Sequence, residues 1–97
     1  MSETIQSAVK ALNERLGGGF DGTAKFVVED EGAIFIDESG AREAEGADEA
    51  EVTMTADADT FRSILDGSLN PTSAFMAGQL KVDGDMGTAM KLGSALS

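Results

Sequence analysis

Cysteine, histidine, tryptophan and tyrosine are all absent from this 97-residue sequence, and the first two absences each remove a class of function. Without cysteine there is neither a disulfide framework nor a thiol nucleophile. Without histidine no imidazole can activate the Ser and Thr hydroxyls. A Ser-Lys arrangement would need Lys10, Lys25, Lys81 or Lys91 buried beside a hydroxyl, and nothing in the sequence puts one there. Basic residues are scarce: seven Lys and Arg stand against eighteen Asp and Glu, a formal charge of −11. That charge repels polyanions and argues against a nucleic-acid partner. It also disfavours stable docking on anionic membranes, where each basic residue near the surface contributes about 1 kcal/mol, so any membrane contact is expected to be transient. No stretch approaches the ~18 continuous apolar residues of a transmembrane span. The start, MSETIQSAVKALNERL, lacks the basic and apolar blocks of a signal peptide, and the cytosol is the expected compartment. The chain stops at Ala95-Leu96-Ser97 instead of a Ser-Lys-Leu type peroxisomal signal.

What the sequence has is enough for one thin-cored domain spanning residues 1–97. Apolar residues make up 41% of it, with phenylalanine the only aromatic, five times. A chain of this length buries only about 60–65% of its unfolded surface. Residues 3–16 read as an amphipathic helix, with Ile5, Ala8, Val9, Leu12 and Leu16 inward and Lys10, Asn13 and Glu14 outward. Ser2 is a plausible cap, and Gly17, Gly18 and Gly19 end the helix. Short strands are predicted over 22–30, 33–38, 41–45 and 51–55 as an antiparallel meander, with turns at Gly32, Gly40 and Gly46. Arg42, Glu43 and Glu45 leave the third strand almost no buried face and mark it as an edge. Residues 57–66 return to helical period, with Ala58, Phe61, Ile64 and Leu65 inward and Gly67 at the stop.

Residues 70–92 carry the densest local information. Asn70-Pro71 is a helix entrance, because Asn accepts from orphan N–H groups and proline has no N–H to leave unpaired. Ala74, Phe75 and Met76 follow, and Gly78 closes a helix of barely two turns. Leu80 and Val82 alternate with Lys81 and Asp83 in the period of a half-buried strand, which Gly84 breaks. Asp85 then caps a last helix with Met86, Ala89, Met90, Gly93 and Leu96 along one side.

In these residues the chain resembles the sterol carrier protein 2 family of small lipid-binding domains. The resemblance runs through Val52, Met54, Phe61, Gly67, Asn70-Pro71, Ala74-Phe75, Gly78, Leu80-Lys81, Gly84, Met86-Gly87 and Ala89-Met90-Lys91-Leu92. It covers the second half of the chain. The first half matches in its pattern of elements. The resemblance implies an α+β fold, a five-stranded, mostly antiparallel sheet covered by helices on one face. It also implies an apolar tunnel for sterols, fatty acids, acyl-CoA or phospholipids between the layers. The expected tunnel lining is Phe35, Phe61, Ile64, Leu65, Phe75, Met76, Leu80, Val82, Met86 and Met90. Unbranched methionines near phenyl rings suit a pocket for flexible ligands, although any one of them is ordinarily core.

The remaining motifs have simpler explanations. Gly17, Gly19 and Gly22 spell G-x-G-x-x-G, but the pattern follows a helix and opens a strand, the reverse of a dinucleotide site. The pairs Asp57/Asp59 and Asp83/Asp85 sit at helix starts and lack the other ligands of a calcium loop, so capping accounts for them. Lys81 and Lys91 are expected to be solvated or to meet a carboxylate. The reading is a non-catalytic intracellular lipid carrier with no cofactor and no metal. Its last helix, which carries Gly87 and Gly93, is the element expected to move. The alternative is a protein interaction module, or an accessory factor in isoprenoid-quinone or lipid biosynthesis.

Overall fold

The computed structural model describes residues 3–17, 19–44 and 49–96. The suggested Ser2 cap, Gly18, the Gly46 turn and the end of the third strand at Glu45 lie outside them. Helix α1, Glu3–Leu16, buries Ile5, Ala8 and Leu12 at helical spacing. Strands β1 (Ala24–Val28), β2 (Gly32–Asp37) and β3 (Gly40–Glu43) form an antiparallel meander. Strand β4, Val52–Ala56, does not continue it. It crosses to the far side of β1 and pairs parallel, Phe26 opposite Met54. Helix α2 (Ala58–Asp66), helix α3 (Pro71–Met76), strand β5 (Lys81–Gly84) and helix α4 (Met86–Leu96) complete the order. The sheet runs β3-β2-β1-β4-β5.

The parallel pair replaces the meander expected through β4, and burial explains why. β1 and β4 are the strands in which every second residue is apolar and buried along the whole length: Ala24, Phe26 and Val28 on one, Val52, Met54 and Ala56 on the other. Strands buried in this way belong at the sheet centre, whereas β3, with exposed Arg42, tolerates the edge. That edge is managed by a residue expected to face solvent. Asn13 of α1 turns to β3, its Nδ2 donating to the Ala41 carbonyl at 3.0 Å and its Oδ1 accepting from the Ala41 N–H at 2.8 Å. One side-chain amide thus stands in for the missing neighbour strand.

The register puts Ala24, Phe26, Ile34, Ile36, Val52, Met54 and Val82 on one face, where they join α1, α2 and α4 in a single core. Phe26 and Phe61 of α2 meet at its centre with ring centroids 4.4 Å apart. Gly84 ends β5 as expected, opposite Val52. Its φ is +118°, and a Cβ there would crowd the Glu51 carbonyl, so glycine is what lets the chain cross so close to β4. Gly19 is similarly pressed against the Glu38 carbonyl, which gives one member of the apparent fingerprint a packing role.

The carboxylates at the helix starts act as caps. Asp57 accepts from the Thr60 N–H at 2.7 Å, and Asp85 accepts from the Gly87 N–H at 3.0 Å and the Thr88 hydroxyl at 2.9 Å. The bonds from Thr60 hold the Asp57 carboxyl below its ordinary value of 3.8. Hydrogen bonds from Ser68 do the same for Asp66. A carboxyl whose pKa is lowered by folding stabilises fully above its unfolded value, and that contribution disappears as pH falls through the lowered folded value.

Two outcomes follow from this frame. Asn13→Ala leaves the Ala41 N–H and carbonyl without their partner and should cost about 1–3 kcal/mol in urea denaturation. Asp57→Asn keeps an acceptor but removes the titration, so its denaturation midpoint should fall less steeply than that of the unmodified chain as pH drops below about 4.

Candidate functional site

An apolar cavity of about 70 Å³ lies where α3, α4 and the β4–β5 edge of the sheet meet. The sheet supplies Met54 and Val82, the segment through α3 supplies Pro71, Thr72, Phe75 and Leu80, and α4 supplies Met86, Ala89, Met90 and Gly93. Local sequence sets each wall. Asn70 accepts from the Thr72 N–H at 2.8 Å and Pro71 occupies the first turn of α3, which turns Phe75 toward α4. Asp85 starts α4 so that positions 86, 89, 90 and 93 share a flank. Thr72 is the one lining side chain with a hydroxyl, so the wall has almost nothing to fix a polar ligand.

The ten residues expected to line a tunnel are divided by the structure. Phe75, Leu80, Val82, Met86 and Met90 come together around this cavity. Phe61 and Ile64 are fully buried in the core. Phe61 and Leu65 also border a separate groove between α1 and α2. Met76 is not part of the lining and is 79% exposed. Phe35 is buried on the opposite face of the sheet, beneath the Arg42 guanidinium at 4.5 Å. Period two explains Phe35: with Ile34 and Ile36 inward, the residue between them must face the other way.

The last helix is also rotated from its expected face. Its buried apolar stripe is Ala89, Leu92, Gly93 and Leu96, which leaves Met86 44% and Met90 71% exposed at the cavity rim. Leu92, fully buried, did not stand out beside the methionines. Met54, Pro71, Thr72, Ala89 and Gly93 line the cavity without being among the ten expected residues. The signal for Met54 lay in its alternation with Thr53 and Thr55, which points it inward, and in its register opposite Val82.

The groove between α1 and α2 is larger, about 530 Å³, yet it is the poorer apolar site. It opens to solvent, and Glu3, Arg62 and Asp66 stand among its lining residues. Among the described residues, no cluster of three or more His, Cys, Asp or Glu could hold a metal. No buried side-chain nitrogen or oxygen among them lacks a hydrogen-bond partner. No helix among them is long and apolar enough to cross a membrane.

The two helical walls differ in how firmly they are held. Arg15 of α1 donates to the Leu96 carbonyl at 2.7 Å and to the Leu65 carbonyl at 2.6 Å, binding the ends of α4 and α2 together. Lys91 reaches Asp21 at 3.4 Å, and Thr88 packs its hydroxyl between Asp85 and Glu51. Glu51 in turn accepts from the Thr23 N–H at 3.1 Å, connecting the start of α4 to β1. By contrast α3 buries only Pro71 and Ala74 of its six residues.

A profile of the SCP-2 sterol transfer family matches residues 3–97. Hydroxysteroid dehydrogenase-like protein 2 of Xenopus laevis is 35% identical over 98 residues, which cover 95% of this chain and 24% of that protein. The chain thus spans about a quarter of the length of that relative. Among solved structures, the solution structure of sterol carrier protein 2 from Aedes aegypti, in complex with the C16 fatty acid palmitate, superposes with a TM-score of 0.77 at 21% identity. The match covers 100% of this chain and 97% of the other. Palmitated SCP2L2 from the same organism gives 0.70 at 23% identity, covering 99% and 95%. The fold is that of the sterol carrier proteins.

The wall itself offers a stability test. A Cβ at Gly93 would lie 3.8 Å from the Pro71 side chain, an ordinary contact, so Gly93→Ala should add about 0.5–1 kcal/mol through helix propensity. A raised thermal midpoint is the expected readout.

Proposed function

The chain belongs to the SCP-2 sterol transfer family, and from that membership we propose that it is a non-catalytic carrier that takes the acyl chain of a lipid between α3, α4 and the β4–β5 edge. One observation carries this reading. The apolar cavity is walled by adaptable methionine side chains and opens beside Phe75, Met86 and Met90, so its lining can follow a flexible guest. The palmitate in the Aedes aegypti protein of the same fold supports a fatty-acid-like ligand. The dehydrogenase in the Xenopus laevis name is not carried over, since the match falls on a quarter of that protein.

At about 70 Å³ the cavity is far below the ~300–1,000 Å³ of pockets that enclose ligands of moderate size, so binding requires the walls to part. The ties on α4 make α3 the wall that yields, in place of the last helix. α3 has little buried area to lose, and the segment that carries it is bracketed by Gly67, which closes α2, and Gly78, both with positive φ. Burying ten methylenes contributes about 8 kcal/mol gross, from which ordering of ligand and walls removes several. Micromolar affinity with broad chain selectivity is the expected balance.

Native mass spectrometry of the purified protein, with identification of any apolar compound released on denaturation, tests this directly. A stoichiometric acyl or isoprenoid species is expected. An unloaded protein that also fails to displace a fluorescent fatty acid would favour the interaction-module reading instead. On loading, amide exchange should slow across residues 71–80 more than across 86–96, whereas the reverse order would return the moving part to α4.

A further inference from the structure

Charge is distributed very unevenly along this chain. Residues 67–97 contain two acidic and two basic side chains, Asp83, Asp85, Lys81 and Lys91, so the entire formal charge of −11 resides in residues 1–66. From Gly67 through Leu80 there are fourteen residues with no charge at all. The same part of the molecule holds every large hydrophobic side chain exposed among the described residues: Phe75 at 39%, Met76 at 79%, Met86 at 44% and Met90 at 71%. Three of these four also line the apolar cavity. Met76 does not, so lining a closed pocket does not account for its exposure.

We propose that this face, formed by α3 and the first half of α4, docks onto the surface of an uncharged, zwitterionic lipid bilayer. The inference rests on the carrier reading and adds the partner from which the lipid is taken or to which it is given. Three features favour a bilayer. The cavity opens within the patch, so a docked molecule presents its mouth to the apolar phase where such a ligand resides. Phe75, Met76, Met86 and Met90 can bury their apolar surface there without needing a matched hydrogen-bond pattern. The net charge of −11 is repelled by anionic headgroups but not by zwitterionic ones, and the uncharged run Gly67 to Leu80 that carries Phe75 and Met76 suits an uncharged surface. Lacking Trp, Tyr and a basic rim, the contact is weak and reversible, as release after each exchange demands.

Co-flotation with phosphatidylcholine vesicles, with and without added phosphatidylserine, tests the proposal. The protein should partition onto phosphatidylcholine, and partitioning should fall as phosphatidylserine is added, with recovery at higher salt. Met76→Glu should lower partitioning roughly tenfold or more, and Gln79→Glu should lower it by a smaller factor. Gln6→Glu on α1 adds the same charge elsewhere and should leave it unchanged. Because Met76 lies outside the cavity, its variant should still carry lipid in native mass spectrometry, which separates a failure of docking from a failure of binding. Absence of partitioning by lipid-loaded protein, equal partitioning of Met76→Glu and the unmodified chain, or partitioning that rises with phosphatidylserine would each overturn the proposal. So would self-association that Met76→Glu abolishes in the absence of vesicles, which would assign the patch to a second copy of the chain.

Discussion

The structure depends on a sheet that buries one face. Four of its strands present Ala24, Phe26, Ile34, Ile36, Val52, Met54 and Val82 to the same side, and every helix that contributes to the core packs there. A thin layer of this kind must supply both the hydrophobic stability of the domain and any space it offers to a ligand. The two uses are separated along the sheet. Over β1 and β2 the gap is filled by Ile5, Leu12, Phe61 and Ile64, all essentially inaccessible to solvent. Over β4 and β5 it is closed by side chains that are partly exposed, and the cavity lies in that less complete end.

Polar contacts reinforce the same division. Asn13 completes the open edge at β3, Arg15 joins the ends of α2 and α4, and Glu51 links the start of β1 to the first turn of α4. Each satisfies backbone groups or capping hydroxyls that would otherwise rely on water. Helix α3 has its Asn70 cap and a few backbone bonds around Ala74, but no side-chain tie of comparable reach is seen among the described residues. A firm floor and one weakly held wall are what a binding site needs if it is to open without unfolding the domain.

The proposed opening and the proposed docking surface converge on the same few residues. Phe75 forms part of the cavity wall and part of the exposed patch, so displacement of α3 would alter both the volume available to a guest and the surface offered to a bilayer. Methionine suits both settings, since its unbranched, polarizable side chain repacks at little cost.

Much of this could be read from the sequence, because it is local. The elements of the described residues follow from apolar period and punctuation: Asn70-Pro71 and Asp57 as caps, Gly67 as a stop, the alternation at Leu80 and Val82. The sparse apolar content of the third strand identified it as an edge for a physical reason that holds in any fold. The similarity of residues 52–92 to a known family added the α+β architecture and the place to look for a site. Only the tertiary structure decided what requires distant segments to meet. The parallel insertion of β4 beside β1, the turn of Asn13 toward β3 and the rotation of α4 that buries Leu92 and exposes Met90 are of this kind. Periodicity marks which residues share a face, but partners across space determine which face is inward and how tightly it is closed.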